Sequence, residues 1–382
     1  MAIVKKVRKL GSRGVAVSGP REDTGLRPEF VLKAPPCATA CPNDTDVRAL
    51  LAVLARPEAA AIPADRSFEQ AFRILSDRNP LPATSAALCP HRCEEACHRA
   101  GYDEAIAINA IERFVAEHAV AAGFPLSRVS DETRPERVAI LGAGAAGLSS
   151  AYQLARRGYG VAVFDPFPLA GGELRYSALA ARLTPGILDA EIDRLLAIGV
   201  EFRPGIPVAE AAAFIEQDGS FVKTLVTRIY EVDRPVEPAS VVPAIHLGRH
   251  QAALAEAAIT EAAPAPVLRM PSMGRDRLKL DHYPHAERAL PRNAVRCSSP
   301  DGESAGRAGE LSALAAEQVL AEARRCLSCG DCFSCGNCWK YCPDQAVIKP
   351  LEASQSYRFR LEFCQGCSKC AEECPSGYIE MR

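Results

Sequence analysis

Two cysteine-rich stretches lie near the C-terminal end of the sequence, CLSCGDCFSCGNCWKYCPD and CQGCSKCAEECP. Within them Cys332, Cys335, Cys338 and Cys342 form one C-x2-C-x2-C-x3-C-P run, and Cys364, Cys367, Cys370 and Cys374 form a second. Thiolates at these spacings sit on tight loops and can close around a cluster of iron and sulfide, the fourth cysteine of each run ligating the other cluster. The spacing therefore groups Cys332, Cys335 and Cys338 with Cys374, and Cys364, Cys367 and Cys370 with Cys342, which predicts two [4Fe-4S] clusters. C-x2-C pairs also build structural zinc sites, but repetition of a complete four-cysteine run favours clusters. Cys326 and Cys329 stand ahead of the first run with no role in either.

A different chemistry is written in RVAILGAGAAGLSSAYQLARRGYGVAVFD. It reads as a strand from Val138 to Leu141, a glycine turn, an amphipathic helix, and a second strand from Val161 to Phe164 that ends in Asp165. Gly142, Gly144 and Gly147, with Ala145 and Ala146 between them, allow the tight turn, close approach of a pyrophosphate to the backbone, and close helix packing. Asp165 is placed to bind a ribose hydroxyl. The pattern predicts a dinucleotide site at the start of the helix.

The elements that must position these groups are those of a globular chain. Its 382 residues are 48% hydrophobic with a net charge of -2, enough to bury two or three cores. No run of like charges offers a footprint for nucleic acid or an anionic membrane. MAIVKKVRKLGSRG lacks an apolar signal core, and the apolar stretch QAALAEAAITEAAPAPV carries two glutamates; neither a leader nor a membrane span is expected, and a cytoplasmic location is. Nearly all of the sixteen cysteines lie close to another in sequence, which suits metal loops better than a disulfide framework. The seven histidines do not group at catalytic or metal spacing, and no nucleophile or acid-base pair stands out. No catalytic side chain is assigned.

Residues 326 to 382 resemble a bacterial two-cluster ferredoxin. FPLAGGELRYSA and TPGILDAEIDRLLAIGVEFRPG resemble the FAD domain of the glutamate synthase small-subunit family and of dihydropyrimidine dehydrogenase. Gly171, Gly172, Leu174, Arg175 and Tyr176 match the Gly-Gly-x-Leu-Arg-Tyr element that covers the flavin side in that family. YEVDRPVEPASVVPAIHLGRHQAA is similar to its closing segment and puts Asp233 at the FAD-contacting position, with Glu231 and Val232 where the family has glycines. Between these segments the family inserts a complete NAD(P)H domain. Here only a short segment separates FRPGIPV from IYEVD, and no second glycine fingerprint occurs. The resemblance implies FAD on a shortened domain without the usual hydride-donor module.

PPCATACPNDTDVRALLAVLA and NPLPATSAALCPHRCEEACHRAGYDEAIAINAIERF resemble the helical iron-sulfur domain of the same family, which binds two clusters. The family's Arg-Cys-Leu-x-Cys element is missing upstream of Cys37 and is found instead at Arg325 to Gly330. The resemblance thus implies that Cys326 and Cys329 reach back to join Cys37 and Cys97 in a third cluster. Cys41, Cys89 and Cys93 would hold a fourth, with Glu112 at the family's Gln/Glu ligand position. Four [4Fe-4S] clusters then account for every cysteine except Cys297.

The expected fold is multidomain: an extended arm over 1–36, a helical iron-sulfur domain over 37–128, a shortened α/β Rossmann-like FAD-binding domain over 135–256, a linker over 257–320 with a helix near Glu310 to Arg325, and an α+β ferredoxin-like two-cluster domain over 321–382. FAD beside one-electron clusters implies an electron-transfer subunit of an oxidoreductase complex. The domain order is similar to flavin/iron-sulfur subunits of thiamine-diphosphate 2-oxoacid oxidoreductases of the phenylglyoxylate dehydrogenase type, which implies those subunits or a small ferredoxin as partners. Two alternatives stand beside it. One is an NAD(P)H-dependent reductase resembling the glutamate synthase small subunit or the electron-input subunit of dissimilatory sulfite reduction. The other is a flavin-free, cluster-bearing adaptor.

Overall fold

The computed structural model describes residues 23–55, 64–226, 236–263, 270–290, 315–351 and 356–382. After a short strand, β1 (Pro28–Phe30), six helices follow: α1 (Pro36–Ala40), α2 (Val47–Ala55), α3 (Ala64–Arg78), α4 (Pro82–Leu88), α5 (Arg92–Glu95) and α6 (Ile108–Ala122). α1 and α4 open on proline, whose fixed φ suits the first helical position and whose missing N–H is not needed there. α6 buries Ile108, Ile111, Val115 and Ala119, an apolar stripe at helical period, and stops at the left-handed Gly123. These side chains share one core with Leu50, Leu54, Phe72 and Leu88.

The α/β unit follows as β2 (Arg137–Leu141), α7 (Ala145–Ala155), β3 (Gly160–Asp165), α8 (Glu173–Tyr176), α9 (Ile187–Ala197), β4 (Val200–Pro204), α10 (Val208–Asp218), β5 (Phe221–Val226) and α11 (Val241–Ile259). Its sheet is parallel in the order β4-β3-β2-β5. Val138, Ala139, Ile140 and Leu141 are all buried, as expected of a strand covered on both faces. α11 lies almost backbone-to-backbone on α7: a Cβ on Gly248 would stand 2.1 Å from the Ala146 carbonyl oxygen. Ser149 Oγ donates to the Ile245 carbonyl at 2.7 Å and Ser150 Oγ to that of Gly248 at 2.9 Å. The start of α7 is thereby held in place.

The C-terminal part comprises α12 (Ala316–Ala323), α13 (Asn337–Lys340), β6 (Val347–Ile348), β7 (Arg358–Phe359), α14 (Lys369–Glu372) and β8 (Ile379–Met381). The helix expected near Glu310 to Arg325 is α12, and its expected first residues lie outside the described ones. β6 and β7 pair antiparallel.

The described part of the arm holds one extended strand, and it is docked: β1 pairs antiparallel with β8, Pro28 opposite Met381 and Phe30 opposite Ile379. Phe30 stacks on Phe359 and Tyr378 at 4.5 and 5.2 Å between ring centroids. Residues 270–290, expected in a linker, form a packed strap. Met273 and Leu278 join Leu327 in a small core, the Lys279 N–H donates to the Pro375 carbonyl at 3.0 Å, and Tyr102 Oη donates to the Tyr283 carbonyl at 2.6 Å. Their apolar residues have no helical or strand period, so only partners distant in sequence reveal them as core. No helix of the described residues is long and apolar enough to cross a membrane.

Candidate functional site

Three cysteine loops share one backbone. In Cys326 to Gly330, Cys332 to Gly336 and Cys364 to Ser368 the third residue is left-handed, with φ of 50° at Ser328, 61° at Ser334 and 71° at Gly366. So is the fifth, with φ of 75° at Gly330, 82° at Gly336 and 65° at Ser368. In each the N–H of the third residue points at the first sulfur: Ser328 to Cys326 Sγ at 3.4 Å, Ser334 to Cys332 Sγ at 3.5 Å, Gly366 to Cys364 Sγ at 3.4 Å. The His91 N–H, on a residue with φ of 59°, does the same for Cys89. Left-handed backbone at a non-glycine residue costs about 1–2 kcal/mol. Its recurrence marks a loop shaped to present thiolates. Cys326 and Cys329 thus sit in the same kind of loop as the ferredoxin cysteines.

The structure gathers the thiols into four groups. Burial, and after it the charges of Cys326, Cys97 and Cys329, push the Cys37 thiol well above its ordinary range. Cys329 is raised by burial and then by Cys326 and Cys97. These four line one cavity with Leu51, Ile106, Ile108 and Leu327. In the second group burial and then the Glu112 carboxylate raise Cys41, Cys89 and Cys93, Cys89 to about 12. Glu112 itself is pushed up to about 8, by burial first and Glu94 second.

In the third group Cys338 is raised to about 12 by burial and then by Cys332, Cys335 and Cys374. In the fourth, burial, Cys364, Cys342 and Cys367 raise Cys370 to about 12. The last cysteine of each run therefore stands with the other run. The thiols raised in this way resist ionisation in the bare protein, and a cationic centre that binds them as thiolates relieves the cost. Among the described residues no group of three or more His, Cys, Asp or Glu is placed to hold a single metal ion. A sulfur-rich donor set on shaped loops fits iron-sulfur clusters, whose four irons each take one ligand.

A buried ionic clasp brings the Cys326 loop to the helical domain. Glu322, fully buried, accepts N–H bonds from Ala107 at 2.9 Å and Ala289 at 2.7 Å, and pairs with Arg325 Nη1 at 2.6 Å. Arg325 also reaches Asp103 at 3.3 Å, and Asp103 holds Arg99 at 2.6 Å. Arg99 in turn donates to the Arg325 carbonyl. Arg48 Nη1 donates to the Cys329 carbonyl at 2.8 Å. Tyr283, on the strap, donates its hydroxyl to the Leu327 carbonyl at 2.7 Å and stacks on Phe333. Burial and then the charges of Cys329, Cys326, Cys374 and Cys335 raise its pKa, so it stands between the Cys326 loop and the Cys332 run.

At the dinucleotide turn Gly142 has φ of 104° and Gly144 precedes the first residue of α7. Ala145 and Ala146 form the first turn of that helix, and Gly147 is buried behind them. Asp165, at the end of β3, accepts the Ala143 N–H at 2.6 Å and that of Phe167 at 2.9 Å, and burial raises its pKa. Gly172, with φ of 46°, presses so close that a Cβ there would lie 2.9 Å from Gly144 Cα. Leu174 is buried below it. Arg175 turns away to pair with Asp189. Tyr176 accepts the Leu169 N–H at 3.1 Å and stacks on Phe167. Asp233 lies outside the described residues.

Glu173 carries no role in the sequence patterns, yet the fold places it at this turn. Its Oε1 accepts the Ala145 N–H at 3.1 Å, so a carboxylate stands at the start of α7, where a dinucleotide's pyrophosphate would be bound. The turn does attract an anion. The signal for Glu173 is an acid inside a phosphate-binding element; Glu322 and Arg99 give none, because their roles come from distant backbone.

Three family descriptions match successive parts of the chain: dihydropyrimidine dehydrogenase domain II, 4Fe-4S cluster, over residues 31–124; FAD dependent oxidoreductase over 137–258; and 4Fe-4S dicluster domain over 331–378. The chain carries the domain set of an FAD/iron-sulfur oxidoreductase subunit. Curated relatives include the NADP(+)-dependent formate dehydrogenase subunit beta of Moorella thermoacetica, 32% identical over 56% of this chain and 32% of that protein. The NAD-dependent dihydropyrimidine dehydrogenase subunit PreT homolog of Salmonella typhi is 30% identical over 50% and 45%. The NADPH-Fe(3+) oxidoreductase subunit beta of Geobacter sulfurreducens is 27% identical over 44% and 24%. The chain spans less than half the length of each of these relatives.

Proposed function

We propose that the chain is an electron-transfer subunit that holds FAD at the Gly142 to Gly147 turn and [4Fe-4S] clusters at all four thiol groups. FAD exchanges electrons in pairs or singly, and the clusters pass them singly. The protein's part is to set these centres in a row. Glu191 of α9 accepts the Ala83 and Thr84 N–H groups at 2.7 and 3.1 Å, fixing α4 and the Cys89 that follows it against the α/β unit. Cys93 lies within α5 and Cys97 two residues beyond its end, and the two serve neighbouring groups. Cys329 and Cys332 link the third-cluster loop to the first ferredoxin run, and the two runs exchange their fourth cysteines. The observation that carries this reading is the Cys326 loop, ferredoxin-like in backbone yet docked on Cys37 and Cys97.

For the partner we favour subunits of a thiamine-diphosphate 2-oxoacid oxidoreductase, on domain order, and a cytoplasmic setting, where thiols stay reduced. The relatives' names point to a second reading, in which NAD(P) is the terminal partner. Anaerobic analysis of the purified chain tests the central reading: about sixteen iron atoms, four per cluster, and one FAD are expected. About half that iron, with ferredoxin signals alone, contradicts it. Adding NADH or NADPH in the same cell separates the two partners. Rapid bleaching of the flavin supports the nicotinamide; no response until a 2-oxoacid, coenzyme A and the partner subunits are added supports the first.

A further inference from the structure

We propose that Glu173 is an internal competitor for the dinucleotide's pyrophosphate, so that FAD binds only by expelling this carboxylate from the start of α7. The inference rests on the assignment of the turn to FAD. A phosphate needs the unpaired N–H groups and positive dipole end at the first turn of a helix. One of these N–H groups, that of Ala145, already donates to Glu173 Oε1 at 3.1 Å. The other oxygen of the same carboxylate lies 2.2 Å from where a Cβ on Gly144 would stand, so it fills the space that glycine leaves open for a ligand. Glu173 is only 9% exposed, and the carboxylate is enclosed with the turn rather than lying across it.

The geometry fixes the carboxylate there. Gly172, at φ of 46°, brings its backbone onto Gly144, and Glu173 follows directly as the first residue of α8. Arg175, on the same element, bonds to the Ala170 carbonyl at 2.9 Å and to Asp189. A bound pyrophosphate would meet a carboxylate at contact distance, and like charges in a low-dielectric cleft repel strongly. Glu173 must therefore rotate out whenever the dinucleotide enters. The result is a flavin site whose empty form is capped from within and whose affinity is lowered by the strength of that cap.

The full-length chain, freed of flavin and titrated with FAD and with ADP as a probe of the pyrophosphate cradle alone, tests this. A carboxylate capping a helix start stabilises it enough that its removal corresponds to about a tenfold change in a competing equilibrium. Glu173→Gln and Glu173→Ala should each bind FAD and ADP about tenfold more tightly than wild type, and the flavin-free Glu173→Ala protein should melt below flavin-free wild type because it has lost its cap. Equal or weaker binding by both variants overturns the proposal. FAD and ADP bound by neither wild type nor variants would remove the flavin assignment itself, and the proposal with it.

Discussion

Replacing Glu322 should undo the attachment of the C-terminal module to the helical domain. Its carboxylate is fully buried and serves three partners, the Ala107 and Ala289 N–H groups and Arg325, which is itself only 4% exposed. In Glu322→Ala two buried donors lose their acceptor, at about 1–3 kcal/mol each. Breaking a buried ion pair costs about 3–5 kcal/mol. These costs belong to one network and do not add, and Asp103 still faces Arg325 at 3.3 Å. A net loss of about 4 kcal/mol follows. Glu322→Gln keeps one acceptor and should lose about half as much. Because Arg325 adjoins Cys326, the damage should be local as well as global, releasing the Cys326 loop from Cys37 and Cys97. Thermal unfolding and iron analysis read both effects. A Glu322→Ala protein that melts with wild type and keeps all its iron would refute the role of this clasp in docking the module.

Ser328 sits at φ of 50°, where a β-branched side chain is strained by about 1–2 kcal/mol; Ser328→Val should shed iron from the third-cluster site on dilution while Ser328→Gly retains it, as iron assays after gel filtration will show. Burial pushes Glu191 up to about 7 from an ordinary 4.5. A raised carboxyl stabilises the fold fully below its unfolded pKa, and that contribution is lost as pH rises through the folded one. Wild type should thus lose about 3 kcal/mol or less between pH 5 and pH 8 that Glu191→Gln does not lose, so melting temperatures of the two should converge or cross as pH rises; parallel curves would tell against it.

Residue spacing alone makes much of the site legible. The C-x2-C runs, the Gly142 to Gly147 turn and the acid at Asp165 are local patterns whose chemistry lies within a few residues. The grouping of Cys326 and Cys329 with Cys37 and Cys97 is not in the spacing; it comes from the resemblance of Arg325 to Gly330 to a family element that is missing upstream of Cys37. What stays hidden in the sequence depends on contacts made across the chain. β1 is three residues with no period of its own, and it becomes a strand only because β8 lies beside it. Met273, Leu278 and Tyr283 read as loop until Leu327 and the cysteine loops are brought up to them. Arg175 matches a flavin-side element, but its charge goes to Asp189, while the neighbouring Glu173 takes the place at the helix start.

Whether Cys326 and Cys329 complete a cluster with Cys37 and Cys97 can be read from the iron content and electron paramagnetic resonance of the Cys326→Ser, Cys329→Ser double variant, purified anaerobically beside wild type. The double variant should lose about four iron atoms, one cluster's worth, with the ferredoxin signals unchanged and flavin retained. Iron equal to wild type, with every cluster signal intact, would contradict it.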